Sequence, residues 1–478
     1  MKSTVTYISI FIAFLCAQCT MGQEKRAIHT DTIHIPQLEL IANAFLESTG
    51  LPGLSIAISE NAELSYAQAF GFADTENEIK LTPQHQLRTA SVAKVITITG
   101  LGRLVTQGKI DLDAPIRDYI PYVDSKYALL TCRQLAGHTS GVAHQPSGRS
   151  YKKKQFKTIK EAVLLMDKPL LFQPDTDYHY STSAFTFLAA AIEGAAGKPY
   201  KDFMREDIFA PLEMTQTFPE NISKLTEKDA NLYYIQKGKL KKEKLTNASY
   251  KLAGAGFRST PADLVKMMKA YSNGFISKAV ANDLFRAREL ENGAQTLVGV
   301  TWRNSIDLFG HSVVEHAGNW RGARSVIVYY PDENLSISVM INAQCSVLIE
   351  QMAHIFAQLY RTRKNRPADH FRLKEPLELT FRKDQKKTNH KGILTLADGK
   401  GNLTAEVPGF LKASELYSLG PAEEYVMVTI YGLLYLKLDT LQTTTGKVFA
   451  YSTLNELHPL KKPALICFRK MDTMESNH

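Results

Sequence analysis

Segments rich in β-forming residues lie at both ends of residues 53–343, and helical patterns fill the stretch between them. GLSIAIS and LSYAQAFGFA stand near the start of this region, and RSVIVYYP and LSISVMINA stand near its end. Runs of β-branched and aromatic residues bounded by turn residues are typical of strands. Strands at both ends that enclose helices predict an α+β fold, in which the terminal segments close one antiparallel sheet.

A change in composition near residue 361 predicts a second domain. The charged, proline-containing segment RTRKNRPAD (361–369) follows an apolar helical pattern and is typical of an interdomain linker. Beyond it, GILTLADGKGNLTAEV and YVMVTIYGLLYLKL alternate β-forming residues with Gly and Asp turns. We predict a first domain over residues 24–362 and a small antiparallel β domain over residues 370–478.

The first 23 residues have the pattern of a secretory signal peptide. Lys2 precedes an apolar stretch from Val5 to Leu15, and small residues follow it. The stretch is too short to span a bilayer comfortably. We therefore predict that residues 1–23 are removed and that the protein is secreted or periplasmic, without a transmembrane segment. Lipid anchoring is not expected, because neither Cys16 nor Cys19 has a Leu three positions before it.

The remaining cysteines and the net charge argue against two other functions. Cys132, Cys345 and Cys467 are too widely spaced for a disulfide framework or a metal site. The formal charge is +9, but the basic residues fall in short runs such as 152–154 and 237–244. Such runs are typical of solvent-facing loops, so we predict no nucleic-acid partner.

Ser91 and Lys94 open the apolar helical pattern VAKVITITGLGRLVTQG, which ends at Gly108. Residues three apart on a helix share one face, with about 5 to 6 Å between Cβ atoms. A lysine on a buried face is costly unless it has a partner or loses its proton. In a dry pocket Lys94 would take the proton of Ser91, and the helix start would favour negative charge on the serine oxygen. The same pattern also fits a structural interpretation, in which Ser91 caps the helix and the Lys94 side chain reaches solvent.

A second Ser-x-x-Lys tetrapeptide in the chain provides an internal control for this interpretation. Ser150 and Lys153 match the spacing equally well, but they lie in the basic segment SGRSYKKKQFK. No apolar helix is present there to remove the lysine from water. We therefore predict that this second copy has no catalytic role.

Two further motifs stand directly before a predicted helix and a predicted strand. Tyr180-Ser181-Thr182 stands before the helical pattern SAFTFLAAAIEGAAG, and His316-Ala317-Gly318 stands before the predicted strand RSVIVYYP. The motifs SVAK, YST and HAG, in this order and at these separations, resemble the three active-site motifs of the serine β-lactamase and penicillin-binding-protein family. The resemblance covers about residues 35–360 and is closest to the branch of class C β-lactamases, D-aminopeptidases and esterases. It implies a sheet flanked by helices, with an all-helical subdomain.

The resemblance also implies a role for each matching residue. Ser91 corresponds to the nucleophile that forms an acyl-enzyme. Lys94 and Tyr180 correspond to the pair that handles its proton, with the lysine cation lowering the pKa of the phenol. The backbone N–H groups of Ser91 and Asn319 would form the oxyanion hole, and His316 would line the pocket opposite the serine. Purely structural roles for Tyr180 and His316 remain alternative interpretations.

The predicted substrate-binding residues are Thr182, His316, Gly318 and Asn319, and two of them depart from the family's pattern. The family usually has Asn where this chain has Thr182, so an amide contact to the substrate or to Lys94 is expected to be lost or altered. The usual Lys-Thr-Gly is replaced by a motif that starts with His316, which is mostly neutral at pH 7. Efficient hydrolysis of β-lactam antibiotics is therefore not expected, because their carboxylate needs a cation.

Residues around the motifs are assigned less specific roles. We interpret His138, in the loop GHTSG, as a residue that supports the fold. Trp320 and Arg321 follow the third motif and either border the substrate or pack on the surface. The polar stretch at residues 220–251 is predicted to form a hairpin beside the pocket.

Together these features predict a secreted serine hydrolase. It would act through a Ser91 acyl-enzyme on an ester, an amide or a D-amino acid peptide, without a metal or organic cofactor. The partner would be a small-molecule or peptide substrate, and the sequence does not predict an oligomeric state. The alternative hypothesis is a binding, sensing or self-assembling protein that uses the same pocket without turnover. Thr182 is the feature that most favours this alternative.

Overall fold

The computed structural model describes residues 33–148 and 150–363, and strand segments between residues 377 and 470. The predicted signal peptide at residues 1–23 and the predicted linker residues 364–369 lie outside the described residues. The described residues from His34 onward form one compact unit. No helix among the described residues is long and apolar enough to cross a membrane.

A seven-stranded antiparallel sheet joins the strands from the two ends of the first region. Its order is β3-β2-β1-β12-β11-β10-β9, and β1 pairs with β12 so that Leu54 lies opposite Ile341. The predicted closure of the sheet is therefore confirmed. The strands are β1 (Gly53–Glu60), β2 (Glu63–Asp74), β3 (Ile79–Lys80), β4 (Leu87–Arg88), β5 (Phe218–Pro219), β6 (Tyr233–Gln236), β7 (Lys239–Lys242), β8 (Phe257–Ser259), β9 (Arg303–Ile306), β10 (Ser312–Trp320), β11 (Ala323–Tyr330), β12 (Leu335–Ile341) and β13 (Ala343–Gln344).

Most helices lie between β4 and β9 in the chain, and two of them begin at capped positions that the sequence indicates. Thr131 and Gln134 form a capping box, and Thr260 caps a helix that starts with Pro261. The helices are α1 (Pro36–Thr49), α2 (Ala93–Thr106), α3 (Cys132–Ala136), α4 (Ile159–Val163), α5 (Ala184–Ala196), α6 (Tyr200–Phe203), α7 (Leu252–Ala255), α8 (Pro261–Met267), α9 (Lys269–Ser272), α10 (Lys278–Phe285) and α11 (Ile349–Thr362). The predicted α+β fold class is confirmed.

The sheet separates two hydrophobic clusters, because side chains alternate between its faces along each strand. On β1, Ile56 and Ile58 belong to the cluster that contains α1 and α11, whereas Ala57 belongs to the cluster that contains α2 and α5. Helix α2 is buried on nearly all sides. A polar side chain on α2 is therefore removed from water and needs a partner inside the protein.

The C-terminal strands close into an antiparallel barrel that packs on the first region. Phe45 and Phe356 share a core cluster with Val426 and Leu433, and the Thr362 hydroxyl donates to the carbonyl of Leu419 at 2.9 Å. The predicted β-structure is confirmed, whereas the boundaries of the second domain stay a prediction. The barrel strands are β14 (Leu377–Arg382), β15 (Lys391–Asp398), β16 (Leu403–Val407), β17 (Leu411–Ser418), β18 (Glu424–Thr429), β19 (Gly432–Asp439), β20 (Thr445–Ala450) and β21 (Ala464–Lys470).

The polar stretch at residues 220–251 contains the predicted hairpin. Strands β6 and β7 pair antiparallel across a turn in which Lys237 and Gly238 both have positive φ, the geometry of a tight hairpin turn. Strand β6 also pairs in parallel with β13, the short strand that follows β12 of the central sheet in the chain. The Arg321 guanidinium contacts Glu243 at 3.3 Å. The hairpin is thus held next to the segment that follows the third motif.

Candidate active site

Ser91 lies in a single 3-10 turn, Ala90–Val92, directly before α2 rather than at the first position of the helix. Ala90 has a φ of 46°, a left-handed conformation that costs a non-glycine residue about 1–3 kcal/mol. The turn is held from both sides. Thr89 donates its hydroxyl to the carbonyl of Phe257 at 2.9 Å, and the Thr89 carbonyl accepts from the hydroxyl of Ser325 at 2.5 Å.

The Lys94 side chain is fully buried and points at Ser91. Its Nζ atom lies 3.4 Å from Ser91 Oγ, 3.2 Å from Thr182 Oγ1 and 2.9 Å from the carbonyl oxygen of Gly254. It also lies 4.8 Å from the centre of the Tyr180 ring. Three segments of the chain therefore meet at one amino group: the Ser91 turn, the second motif and α7. The pairing of Ser91 with Lys94 that the helical spacing predicts is confirmed.

Tyr180 completes the group around the serine hydroxyl, but its pKa differs from the expectation. Burial raises the pKa of the phenol to about 12, and a hydrogen bond with Ser91 and the charge of Arg303 offset this only in part. The sequence predicts that a cation lowers this pKa, but the net shift is upward because burial outweighs the lowering. The phenol is largely removed from water, and the cost of desolvating a phenolate outweighs its favourable contacts. Tyr180 is therefore protonated at neutral pH.

Thr182 keeps a contact with Lys94, although it stands where the family usually has Asn. Its hydroxyl accepts from Lys94, so the contact to the lysine is altered rather than lost. The close approach of α7 explains the fit, because an added Cβ at Gly254 would lie 2.7 Å from Thr182 Cγ2. Glycine at residue 254 leaves room for the threonine methyl group and lets the Gly254 carbonyl reach Lys94.

Strand β10 passes directly beside the Ser91 turn at Gly318. An added Cβ there would lie 2.4 Å from Ser325 Oγ, 2.5 Å from the carbonyl oxygen of Thr89 and 2.9 Å from the backbone nitrogen of Ser91. Only glycine fits this approach without displacing backbone atoms. Asn319 is the next residue of β10 and is exposed. The arrangement fits an oxyanion hole made by the Ser91 and Asn319 amides.

Histidines surround Tyr180, and two of them, His138 and His316, are buried. The His138 ring centre lies 4.4 Å from that of Tyr180, and its Nδ1 accepts from the Ser181 amide at 3.2 Å. His138 thus supports the fold by holding the second motif in place. His144 Nδ1 lies 3.1 Å from the Tyr180 carbonyl oxygen. His316 is 1% exposed and faces Tyr180 with 6.3 Å between ring centres.

These histidines are neutral at pH 7. Burial, followed by the charge of Lys94, lowers the pKa of His144 to about 4 and lowers that of His138 well below its usual value of 6.5. Burial and the charges of Arg303 and Lys94 do the same for His316. The third motif of this chain therefore carries no cation at neutral pH.

We expect the folded protein to lose stability as the pH falls from 6.5 towards about 4. His144 has a lower pKa in the folded than in the unfolded state, so the unfolded chain binds more protons in this range and protonation favours unfolding. Thermal unfolding across this range would show a falling melting temperature. The fall should be smaller for His144→Gln and unchanged for His179→Gln, which alters an exposed histidine. Equal falls in all three proteins would contradict the assignment.

Sequence reasoning missed several residues that contact the site. His144 lies in a loop with no periodic pattern, and the effect of Arg303 on Tyr180 depends on how β9 joins the sheet. Gly254 lies in the segment AGAGFRSTPADLVKMM, which resembles the corresponding segment of the family. The sequence therefore contained a signal for this residue. Among the residues that the structure describes, no group of three or more His, Cys, Asp or Glu side chains could hold a metal ion.

The fold and the site together define a class: proteins of the β-lactamase and penicillin-binding-protein type, which are serine hydrolases. The family model described as Beta-lactamase matches residues 38–355, more than half of the chain. The chain therefore belongs to the Beta-lactamase family.

Among curated proteins, the human serine beta-lactamase-like protein LACTB, mitochondrial, is 27% identical, with 48% of this chain and 55% of that protein covered. A penicillin-binding protein of Bacillus subtilis (strain 168) is 26% identical, with 66% and 74% covered. The chain spans about half the length of LACTB, the first of these relatives.

Solved structures share the fold at lower identity. A D-amino acid amidase from Ochrobactrum anthropi SV3, complexed with L-phenylalanine, has a TM-score of 0.57 and 22% identity, and the match covers 68% of this chain and 99% of that one. The octameric penicillin-binding protein homologue from Pyrococcus abyssi has a TM-score of 0.58 and 17% identity, and covers 92% of this chain and 100% of that one. The second match extends into the C-terminal strands.

Proposed function

We propose that this protein is a secreted serine hydrolase that cleaves an amide, an ester or a D-amino acid peptide through an acyl-enzyme at Ser91. One observation carries the proposal. The buried amino group of Lys94 lies 3.4 Å from Ser91 Oγ and 4.8 Å from the centre of the Tyr180 ring, and the Ser91 hydroxyl is close enough to lower the pKa of that phenol. A serine needs a partner that accepts its proton in order to act as a nucleophile.

The geometry supports a concerted proton relay. Ser91 Oγ attacks the carbonyl carbon of the substrate, and its proton passes to the Tyr180 oxygen while the phenol gives its own proton to the leaving nitrogen or oxygen. A phenol with a pKa of about 12 is suited to this relay, because it both accepts and donates in one step. The bond to the leaving group then breaks. Water attacks the acyl carbon, releases the acid and restores the serine hydroxyl.

Two further elements stabilise negative charge during this reaction. The amino group of Lys94 is held by Gly254 and Thr182 and lies beside the serine oxygen. The Ser91 and Asn319 amides would bind the oxyanion of the tetrahedral intermediate. Such donors act strongly because they are oriented before the charge develops and are shielded from water.

The site and the similar proteins favour amides as substrates over β-lactams. Two structural neighbours are named as a D-amino acid amidase and a D-stereospecific amidohydrolase, so amides are the first substrates to examine. His316 offers no cation for a β-lactam carboxylate, which argues against efficient β-lactam hydrolysis. The N-terminal pattern supports secretion.

We expect a fluorophosphonate probe to label the intact protein at one residue, Ser91, and Ser91→Ala to abolish labelling and the hydrolysis of nitrophenyl esters. The reason is that acylation requires the serine oxygen, whereas the fold does not. Mass spectrometry of the labelled peptide identifies the site. Ser150→Ala is the control, because it removes the serine of the second Ser-x-x-Lys copy. Absence of any adduct and of any ester hydrolysis would favour the alternative hypothesis of a non-catalytic binding protein.

A further inference from the structure

Lys251 is a nearly buried lysine that the proposed reaction does not use. It ends the 3-10 turn Ser249–Lys251, directly before α7, the helix whose Gly254 carbonyl accepts from Lys94. Only 8% of the residue is exposed. A lysine this deeply buried is usually paired with a carboxylate.

The described contacts of the Lys251 ammonium are aromatic. Its Nζ atom lies 3.6 Å from the centre of the Trp320 ring and 5.7 Å from that of Tyr250. Among the described residues, no carboxylate forms an ion pair with it. Glu220, whose charge acts on Lys251, is already bound by Arg88 at 2.8 Å and by Arg258 at 3.0 Å. A partly desolvated ammonium therefore rests on the face of an indole, a weaker partner than an anion.

Lys251 lies near the site, since the charge of Lys94 acts on it. It lines a narrow crevice together with His144, Thr182 and Ser183. The Thr182 hydroxyl in this crevice is the one that contacts Lys94. Trp320, on which the ammonium lies, follows Asn319 at the end of β10. The crevice is thus lined by the second motif and by the turn that precedes α7.

The surrounding charges favour an anionic ligand. Lys94 lies nearby, and Arg88 also contacts the Trp320 ring, 4.3 Å from its centre, although Glu220 neutralises it. Burial, followed by the charges of Lys94, Arg88 and Lys152, lowers the pKa of Lys251 well below its usual value. A carboxylate at the mouth of the crevice would offset this repulsion and restore the charged form of the lysine.

We propose that Lys251, lying against Trp320, binds a carboxylate of the substrate beside Ser91. This inference rests on the proposed function and narrows it: the substrate is an ester or amide whose acyl or leaving group carries a carboxylate. The cation is supplied by the segment that precedes α7, instead of by the third motif, where His316 stands. One ammonium and one aromatic face match a single carboxylate better than a multiply charged phosphate, which usually needs several donors.

The kinetic test compares two esters of equal chain length, mono-4-nitrophenyl glutarate and 4-nitrophenyl pentanoate, after subtraction of the rate with Ser91→Ala. We expect Lys251→Met to lower kcat/KM for the glutarate ester by about tenfold or more and to change that for the pentanoate ester by less than about threefold. Lys251→Arg should keep part of the preference. Lys241→Met removes an exposed lysine of the hairpin and should change neither value. Equal changes for the two esters in Lys251→Met would overturn the proposal.

A binding test separates failure of this inference from failure of the proposed function. Calorimetry with the Ser91→Ala protein would measure binding of monomethyl glutarate and of neutral dimethyl glutarate. We expect the monoanion to bind at least about tenfold more tightly, and the difference to vanish in Ser91→Ala/Lys251→Met. The chain has two tryptophans, and Trp302 is fully buried, so tryptophan fluorescence should report binding at Trp320. Equal or absent binding of the two compounds would overturn the carboxylate site, whether or not the wild-type protein hydrolyses esters.

Discussion

Lys94→Met is expected to slow the acylation of Ser91 by about 10²- to 10³-fold, the effect of losing one preorganised group that stabilises negative charge. The substitution removes the amino group that lies beside the serine oxygen and leaves a side chain of similar length in a fully buried position. The Gly254 carbonyl and the Thr182 hydroxyl lose a donor, which costs about 1–3 kcal/mol of the free energy of unfolding. Stopped-flow labelling with a fluorophosphonate measures the acylation rate, and urea denaturation measures stability.

The second Ser-x-x-Lys copy supplies the matched control for Lys94. Lys153→Met makes the same chemical change in the 3-10 turn Ser150–Lys153. We expect this variant to acylate at the wild-type rate. If Lys94→Met kept more than about a tenth of the wild-type rate, the lysine would not stabilise charge on the serine oxygen, because loss of one such donor usually costs about 10² or more.

Gly318→Ala is expected to lower kcat by about 10²- to 10³-fold, the effect of losing one oxyanion donor. The added methyl group would lie 2.5 Å from the Thr89 carbonyl oxygen and 2.9 Å from the Ser91 nitrogen. Both contacts are with backbone atoms, so β10 and the serine turn must move apart. Steady-state kinetics with a nitrophenyl ester measures the loss. A larger effect on kcat than on KM is expected, since the oxyanion hole acts mainly in the transition state.

A double variant tests which contact is responsible. Ser325→Ala removes the hydroxyl that would lie 2.4 Å from the new methyl group, but leaves both backbone contacts. We therefore expect Gly318→Ala/Ser325→Ala to be as impaired as Gly318→Ala. Recovery of activity in the double variant would show that crowding of a side chain, and not displacement of the serine turn, caused the loss. Ser325→Ala alone serves as the control for the lost hydrogen bond to Thr89.

The sequence predicts the elements of the site better than their electrostatics. The pairing of Ser91 with Lys94 follows from helical spacing, and the three motifs identify the segments that meet. The raised pKa of Tyr180 could not be predicted from the sequence, because burial of a side chain depends on what packs over it from other parts of the chain. The contact of Thr182 with Lys94 could not be predicted from the sequence either. It depends on the space that Gly254 leaves, more than 70 residues away.

The sequence by itself determined the α+β class, the closure of the sheet by its terminal strands, and the three segments that carry the chemistry. Periodicity and turn residues express local preferences, and local preferences are readable from neighbouring residues. Only the tertiary structure decided that Lys251 rests on Trp320, that the histidines around Tyr180 are neutral, and that β10 touches the Ser91 turn at Gly318. These features arise from desolvation and close contact between distant segments, which no stretch of sequence encodes alone.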